Sequence, residues 1–222
     1  MRMLGCPDLY TAMKTSDTAP RSDAPTRIIY DRFAKHYDCV MRPLERLLFA
    51  GLRERVFQLL PNDARTLEVG AGTGANFKLY RREACGVASE ISRKMLDEAC
   101  AKSRPANVAL VQANAEDLPF ASHTFDAAFA TLVFCSVRSP ARAFAELRRV
   151  VRPRGRVVLL EHVRPEGMFL GRAFDALNTL TVPLFDDHFN RETARNTEQA
   201  GFNVEHIERH ARGIVQLIVL RT

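Results

Sequence analysis

Apolar positions along this chain recur first with a helical period and then in short strand-like runs. Ile28 to Val40 carries apolar residues at helical spacing. Pro43 then opens a second stretch in which Leu44, Leu47, Leu48, Leu52, Val56, Leu59 and Leu60 share one face before Pro61 ends it. From Thr66 the pattern changes. Aliphatic runs bounded by turn residues predict strands at Thr66–Val69, Val87–Glu90, Val108–Gln112, Phe125–Leu132 and Arg156–Val163. Helices are predicted between them, one starting at Ala75 and others over Ser92–Lys102 and Pro140–Val150. Such alternation argues for a parallel sheet with helices on both faces. Phe202–Ile207 and Ile214–Leu220 have only a short loop between them, so they are expected to pair antiparallel at the end of a seven-stranded sheet.

With 222 residues, 46% of them hydrophobic, the chain can bury one substantial core, and a single domain over 27–222 is expected. Residues 1–26 are rich in Thr, Ser, Asp and Pro and lack apolar periodicity, which reads as a flexible leader. Residues 27–62 would be capping helices. Leu4-Gly5-Cys6 looks like a lipoprotein cleavage box, but no apolar run precedes it, so a secretory signal is not expected. No stretch reaches the roughly 18 apolar residues needed to span a bilayer.

The chemistry concentrates in Leu67 to Phe77, Leu-Glu-Val-Gly-Ala-Gly-Thr-Gly-Ala-Asn-Phe. A strand breaking into Gly70, Gly72 and Gly74 gives a turn in which positive φ is accessible and a ligand can come close to the backbone. This reads as a nucleoside-cofactor loop, although Gly70-x-Gly72-x-x-Ala75 equally satisfies the dinucleotide pattern. The strand ending at Glu90 places a carboxylate where ribose hydroxyls are bound in either class.

Three further segments carry a resemblance. Ala115-Glu-Asp-Leu-Pro-Phe120, Ser122-x-x-Phe-Asp126 and Arg149-Val-Val-Arg-Pro-x-Gly-Arg156 come after the glycine loop in order. Together the chain resembles the class I S-adenosylmethionine-dependent methyltransferases of the ubiquinone-biosynthesis type over roughly Tyr30 to Leu220. The resemblance implies a Rossmann-like α/β fold, mostly parallel with a C-terminal antiparallel hairpin, and S-adenosyl-L-methionine as cofactor. It places Glu68, Gly70, Gly72 and Gly74 at the methionine end, Glu90 at the ribose, and Asn114, Ala115 and Glu116 around the adenine, with Tyr30, Ile91 and Thr131 also on the cofactor. Asn114 stands where the family usually has Asp, so the adenine amine would need the amide oxygen or another acceptor. The different-class alternatives are an NAD-binding oxidoreductase and a protein that holds the cofactor without turnover.

For the acceptor, Tyr30-Asp-Arg-Phe-Ala-x-x-Tyr37-Asp38 is similar to the amino-terminal motif of quinone and phospholipid methyltransferases. Gly74 to Tyr80, Thr131 to Val137 and Leu160-Glu-His-Val163 are similar to bacterial phosphatidylethanolamine N-methyltransferases and to membrane-associated thiol S-methyltransferases. Phospholipid head-group N-methylation is therefore expected first, with thiol S- or quinone C-methylation behind it. Methyl transfer from a sulfonium is an in-line displacement that requires alignment and desolvation rather than a covalent intermediate. Tyr37 and His162 are the candidate catalytic residues at the pocket mouth, His162 for proton transfer and Tyr37 for its ring face or hydroxyl. The apolar stretch Met168–Phe185, within an insertion over 164–190, is a substrate lid or a core-packing helix.

The formal charge of +6 suits an anionic partner such as a membrane surface or nucleic acid, or simply a solvated basic face, and the expected location is cytoplasmic, with peripheral membrane contact. Nucleic acid is not expected, because Thr131-Leu-Val-Phe134 replaces the Asp/Asn-Pro-Pro-aromatic motif of base methyltransferases. Cys135 is read as a pocket or core thiol. Five cysteines without a Cys-x-x-Cys spacing argue for a reduced compartment without a disulfide framework or structural zinc. Asp186-Asp-His188 has no second cluster, and no metal is assigned. His123, His206 and His210 are expected away from the ligand edge, and the basic run Arg148–Arg156 is read as a surface turn.

Overall fold

The computed structural model describes residues 24–49, 51–162 and 193–222. Most of the expected leader and the whole 164–190 insertion lie outside these residues. Helix α1 (Ala24–Leu44) runs through Pro43 instead of stopping before it. Proline has no N–H to give the preceding turn, and beyond Leu44 the chain widens into a π-helical turn, Glu45–Phe49. Gly51, at φ 77°, then starts helix α2 (Leu52–Leu59). The single second helix expected from Pro43 is thus divided by a proline and by a glycine in a left-handed conformation.

Seven strands form one sheet: β1 (Arg65–Val69), β2 (Cys85–Glu90), β3 (Val108–Gln112), β4 (Phe125–Thr131), β5 (Val151–His162), β6 (Asn203–His210) and β7 (Val215–Arg221). Their order is β3-β2-β1-β4-β5-β7-β6. Strands β1 to β5 pair parallel, whereas β7 inserts antiparallel between β5 and β6. This is the expected mixed sheet with its antiparallel terminal pair. Strand β5 begins at Val151 rather than Arg156, since the backbone of Arg154 and Gly155 is tied to Thr222 beyond β7. No regular helix starts at Ala75. Instead a single 3₁₀ turn, Phe77–Leu79, is closed by bonds from Leu79 N–H to Asn76 O and from Tyr80 N–H to Phe77 O. A turn at Arg81–Ala84 comes at once after it, which leaves no length for a helix before β2.

Helices α3 (Arg93–Cys100), α4 (Pro140–Val150) and α5 (Thr193–Gln199) complete the described elements. Ser92 caps α3 by accepting from Met95 N–H at 3.1 Å, and proline opens α4 where its missing donor is harmless. Alternate strand positions supply two cores. Ala128, Ala130, Val157 and Leu159 pack with Phe144 and Leu147 of α4 on one face. Phe129, Val158, Leu160 and Leu217 pack with Val56 of α2 and Phe49 on the other. The carboxyl edge of the parallel strands lies between these covers, where ligands bind in open α/β sheets.

Candidate active site

The glycine loop leaves β1 with Gly70, Gly72 and Gly74 all at positive φ, 69°, 56° and 78°. A Cβ at Gly70 would lie 2.4 Å from Val133 and one at Gly74 would lie 2.6 Å from the Phe77 ring, so these two are held by packing. Gly72 is different. A Cβ there would meet no atom within 4 Å, because the residue faces the open pocket. Its N–H donates to Glu90 Oε2 at 2.9 Å, and Ser92 N–H donates to Oε1 at 2.9 Å. Burial pushes Glu90 above the usual carboxylate range, while the Ser92 and Gly72 amides pull it back. Each carboxylate oxygen retains acceptor capacity for a ligand hydroxyl.

Past β2 the pocket continues along Ile91 and Asn114, Ala115 and Glu116. Asn114 Oδ1 already accepts from Glu116 N–H at 2.8 Å, and Glu116 Oε1 accepts from Ser139 N–H at 2.7 Å. An adenine amine reaching Asn114 would therefore share an oxygen that the turn is using. Arg149, from the run expected to be a surface turn, points inward. It donates to the carbonyls of Leu118 and Phe120 at 3.0 and 2.7 Å and so anchors the Ala115–Phe120 loop.

In the other direction lies a buried polar cluster. Glu68 does not line the pocket. Its Oε1 accepts from Asn76 Nδ2 at 2.7 Å and its Oε2 from the Tyr80 hydroxyl at 2.7 Å, behind the glycine loop. Burial raises its pKa, against the pull of the Asn76 and Tyr80 bonds. Asn76 passes the network on, with Nδ2 donating to Thr131 Oγ1 at 3.0 Å. Arg53 completes it on the pocket side, donating to Asn76 Oδ1 at 2.9 Å, Thr131 Oγ1 at 2.7 Å and the carboxylate of Glu45. Burial opposes the guanidinium charge, but the Glu45 hydrogen bonds and charge outweigh it and hold Arg53 above its usual value.

Helix α1 forms the roof. Tyr30 and Tyr37, seven residues apart, both line the pocket, with ring centroids 6.4 Å from one another. The aspartates next to them in sequence clamp the helix down. Asp31 accepts from Ser92 Oγ at 2.6 Å and Lys94 N–H at 3.2 Å. Asp38 accepts from Thr73 Oγ1 at 2.5 Å and pairs with Lys102 at 2.5 Å. Burial pushes the Tyr37 phenol far above its usual range, reinforced by Cys135. Tyr37 is therefore a neutral donor and aromatic wall, not a proton acceptor near neutral pH.

The acceptor side is made by Leu132, Val133, Ser136, Val137 and Arg138. Leu132 takes a left-handed φ of 60°, a strained state for a branched side chain. Buried Glu161 fixes the next two residues, its Oε1 accepting from Val133 and Phe134 N–H at 3.0 and 3.2 Å. His162 is buried at the last position of β5 opposite Val215, and it is not among the residues lining the pocket. Thus Tyr30, Tyr37, Gly70, Gly72, Glu90, Ile91, Asn114, Ala115, Glu116 and Thr131 come together around one space, while Glu68 and Gly74 stand behind it and His162 beside it.

Comparison with known proteins bears on what this space holds. A methyltransferase-domain family model matches residues 67–159. Human thiol S-methyltransferase TMT1A is 33% identical over 190 residues, covering 80% of this chain and 76% of its own. The ubiquinone/menaquinone biosynthesis C-methyltransferase UbiE of Syntrophotalea carbinolica is 32% identical over 179 residues, covering 75% and 73%. The chain belongs to the S-adenosylmethionine-dependent methyltransferases. A Thermotoga maritima structure described as an S-adenosylmethionine-dependent methyltransferase and possible histamine N-methyltransferase shares the fold with a TM-score of 0.68 at 23% identity, covering 87% of this chain and 98% of its own. The fold alone does not dictate methyl transfer, since the [4+2]-cyclase SpnF matches it at a TM-score of 0.66 and 19% identity, over 77% of this chain and 79% of its own.

The residues present fit the family's cofactor. Gly72 leaves its space open, Glu90 offers ribose acceptors, and Thr131 and Arg53 give the opposite end polar and cationic groups. S-adenosylmethionine supplies an electrophilic methyl group on a sulfonium. The residues that would hold it lie between β1, β2 and β4 under α1, where Tyr30 and Tyr37 would help to exclude water.

Arg53, Asp31, Asp38, Asn76 and Glu161 are missed by the sequence reading. Arg53 carried a signal, since it stands three and seven residues before Val56 and Leu60 on the expected apolar face of its helix. The two aspartates repeat with their tyrosines at a spacing of seven, again one helix face. Glu161 is a lone acid in an apolar strand, as Glu68 is.

Among the described residues no helix is long and apolar enough to cross a membrane. His123 is exposed in a turn at φ 60°, and His206 and His210 face Glu208 on β6 at 3.5 and 3.6 Å. Cys39 and Cys100 are exposed free thiols and Cys135 a buried one. Asp186–His188 lies outside the described residues.

Proposed function

We propose that the protein methylates a small lipophilic acceptor, and that the acceptor atom is a thiol sulfur. The observation that carries this reading is the absence of an available base on the pocket wall. Among the described residues the wall holds no histidine, its carboxylates Glu90 and Glu116 are engaged by backbone amides, and Tyr37 is held neutral. A thiol makes the smallest demand on a base in the pocket, because it is more acidic than an ammonium-free amine or a ring C–H and its thiolate, formed in solvent, is the nucleophile. The thiolate sulfur displaces the methyl carbon from the sulfonium, the electron pair of the breaking bond stays on the cofactor sulfur, and the acceptor's proton has already gone to solvent. The relatives named as thiol S-methyltransferases support the same order.

Quinone C-methylation is the second reading, supported by the relatives named for it. Loss of a ring proton would require a base, and His162, buried at the end of β5, would be the candidate. Phospholipid N-methylation, expected first from the sequence, moves behind both, since these relatives are named for thiols and quinones. Incubation with methyl-labelled cofactor and equal amounts of a hydrophobic alkanethiol, a demethylated quinol and phosphatidylethanolamine vesicles tests the order. Label in the thioether is expected. Label in the quinone or phospholipid with none in the thioether would overturn it.

Peripheral contact with an anionic membrane belongs to this proposal. The acids of α1 and the π turn face inward or are paired, Asp31 with Ser92, Asp38 with Lys102 and Glu45 with Arg53. The outer side is left with exposed Arg32, Lys35, Arg42 and Arg46 beside exposed Val40, Leu44 and Leu47. Basic and apolar groups together favour the interface of an acidic bilayer, which would deliver a lipophilic acceptor beside the roof of the pocket.

A further inference from the structure

The polar end of the pocket opposite Glu90 is dominated by one buried cation. Arg53 has a side chain only 12% exposed, yet it lines the pocket. Its Nη1 is committed to Asn76 and Thr131, at the glycine loop and at the end of β4, which fixes the plane of the guanidinium. Its Nε and Nη2 edge, the edge that matches a carboxylate in two parallel hydrogen bonds, is taken by Glu45 in that fork-to-fork manner. Glu45 is the less buried partner, at 28% exposure, and it sits in the first turn of the π segment that Pro43 introduces.

This arrangement separates the two charged ends of the site. The ribose end carries the acid Glu90, and the far end a cation whose compensating acid, Glu45, comes from the π turn outside the pocket's lining. S-adenosylmethionine presents hydroxyls at one end and an amino-acid carboxylate at the other. We propose that Arg53 recognises the cofactor's carboxylate and that Glu45 is an internal competitor, which neutralises the guanidinium before binding and yields the Nε/Nη2 edge to the ligand. A buried guanidinium left uncompensated is costly, so the competitor keeps the ligand-free pocket ordered at the expense of affinity. Release of Glu45 loosens the π turn between α1 and α2, which couples occupancy of the amino-acid end to the roof. The proposal rests on the cofactor assignment.

Calorimetry with two probes tests it. S-adenosylhomocysteine has the amino-acid end, and 5′-methylthioadenosine keeps the adenosine but lacks it. Arg53→Gln is expected to weaken S-adenosylhomocysteine about tenfold or more, as for a lost charge-assisted pair, and to leave methylthioadenosine within about twofold. Glu45→Gln is expected to strengthen S-adenosylhomocysteine by roughly three- to tenfold through removal of the competing charge, again with methylthioadenosine unchanged. S-adenosylhomocysteine is zwitterionic without net charge, so a general change of field does not mimic this pattern. Equal loss of both probes in Arg53→Gln would make Arg53 a scaffold residue and overturn the proposal. Weaker S-adenosylhomocysteine binding in Glu45→Gln would also overturn it, even if Arg53→Gln fails to fold. Failure of the wild-type protein to bind either probe would strike the cofactor assignment itself.

Discussion

Any side chain at position 72 would have to adopt a φ of 56° and stand in the pocket. Gly72→Val should therefore abolish S-adenosylhomocysteine binding while costing about 1–3 kcal/mol of stability from backbone strain, read by calorimetry and thermal unfolding. Glu90→Ala should weaken binding by roughly tenfold or more, since it removes both the ribose acceptor and the brace on the Gly72 amide. These residues were legible in the sequence because glycines and a strand-end acid have few other uses in that order. Glu68 was legible as a motif member but not in its place. Its carboxylate is turned behind the loop to Asn76 and Tyr80, which the order of residues along a strand does not reveal. Because burial raises the pKa of Glu68, the protonated form is favoured by folding, and its contribution is full at acid pH and lost as pH rises through the raised value. The melting temperature of Glu68→Gln relative to wild type should therefore improve from mildly acidic to neutral pH. A constant or opposite difference would remove that account of Glu68.

At the scale of elements, the roof helix is held over the pocket by two polar clamps rather than by a large apolar face. Ala34 is its one described residue that is fully buried, while Asp31 and Asp38 reach Ser92, Thr73 and Lys102. The combined variant Asp31→Ala, Asp38→Ala should weaken cofactor binding several-fold with only about 1 kcal/mol of lost stability, because both clamps are partly exposed. Hydrogen exchange should quicken in α1 and stay slow in β4 and β5. An unaltered affinity with faster exchange would mean that the roof is not part of the cofactor site. The bounds of β1 to β4, β7 and α4 were readable to within a residue or two, since their period is set by burial on two faces, whereas β5 starts five residues before the expected Arg156 and β6 runs three beyond the expected Ile207. The helix expected at Ala75 and the one expected from Pro43 were not, because a short span before β2 and a proline tolerated in a last turn depend on distances that periodicity does not contain.

Over the whole molecule, the sheet fixes the site by bringing the ends of β1, β2, β3 and β4 to one edge, and the antiparallel β7 closes the other side of β5. Tight packing makes the scaffold intolerant where strands meet. A Cβ at Gly86 would lie 1.9 Å from the Thr66 carbonyl oxygen, so Gly86→Ala should destabilise by several kcal/mol, on the order of 3 or more, as measured by denaturant unfolding. The surface carries the membrane reading. Leu44→Ser with Leu47→Ser should reduce sedimentation with acidic vesicles at low salt and leave S-adenosylhomocysteine binding intact. Equal sedimentation of wild type and variant would assign the stripe elsewhere. The central claim is that this pocket turns its cofactor over, and a single-turnover experiment tests it most directly. Protein in excess is mixed with methyl-labelled S-adenosylmethionine and a hydrophobic alkanethiol, and S-adenosylhomocysteine and thioether are monitored together. The account predicts equal amounts of both products from wild type and none from Gly72→Val. Tight retention of unreacted S-adenosylmethionine by the wild-type protein with thiol, quinol and phospholipid alike would contradict it and make the chain a binder of the cofactor rather than a methyltransferase in action.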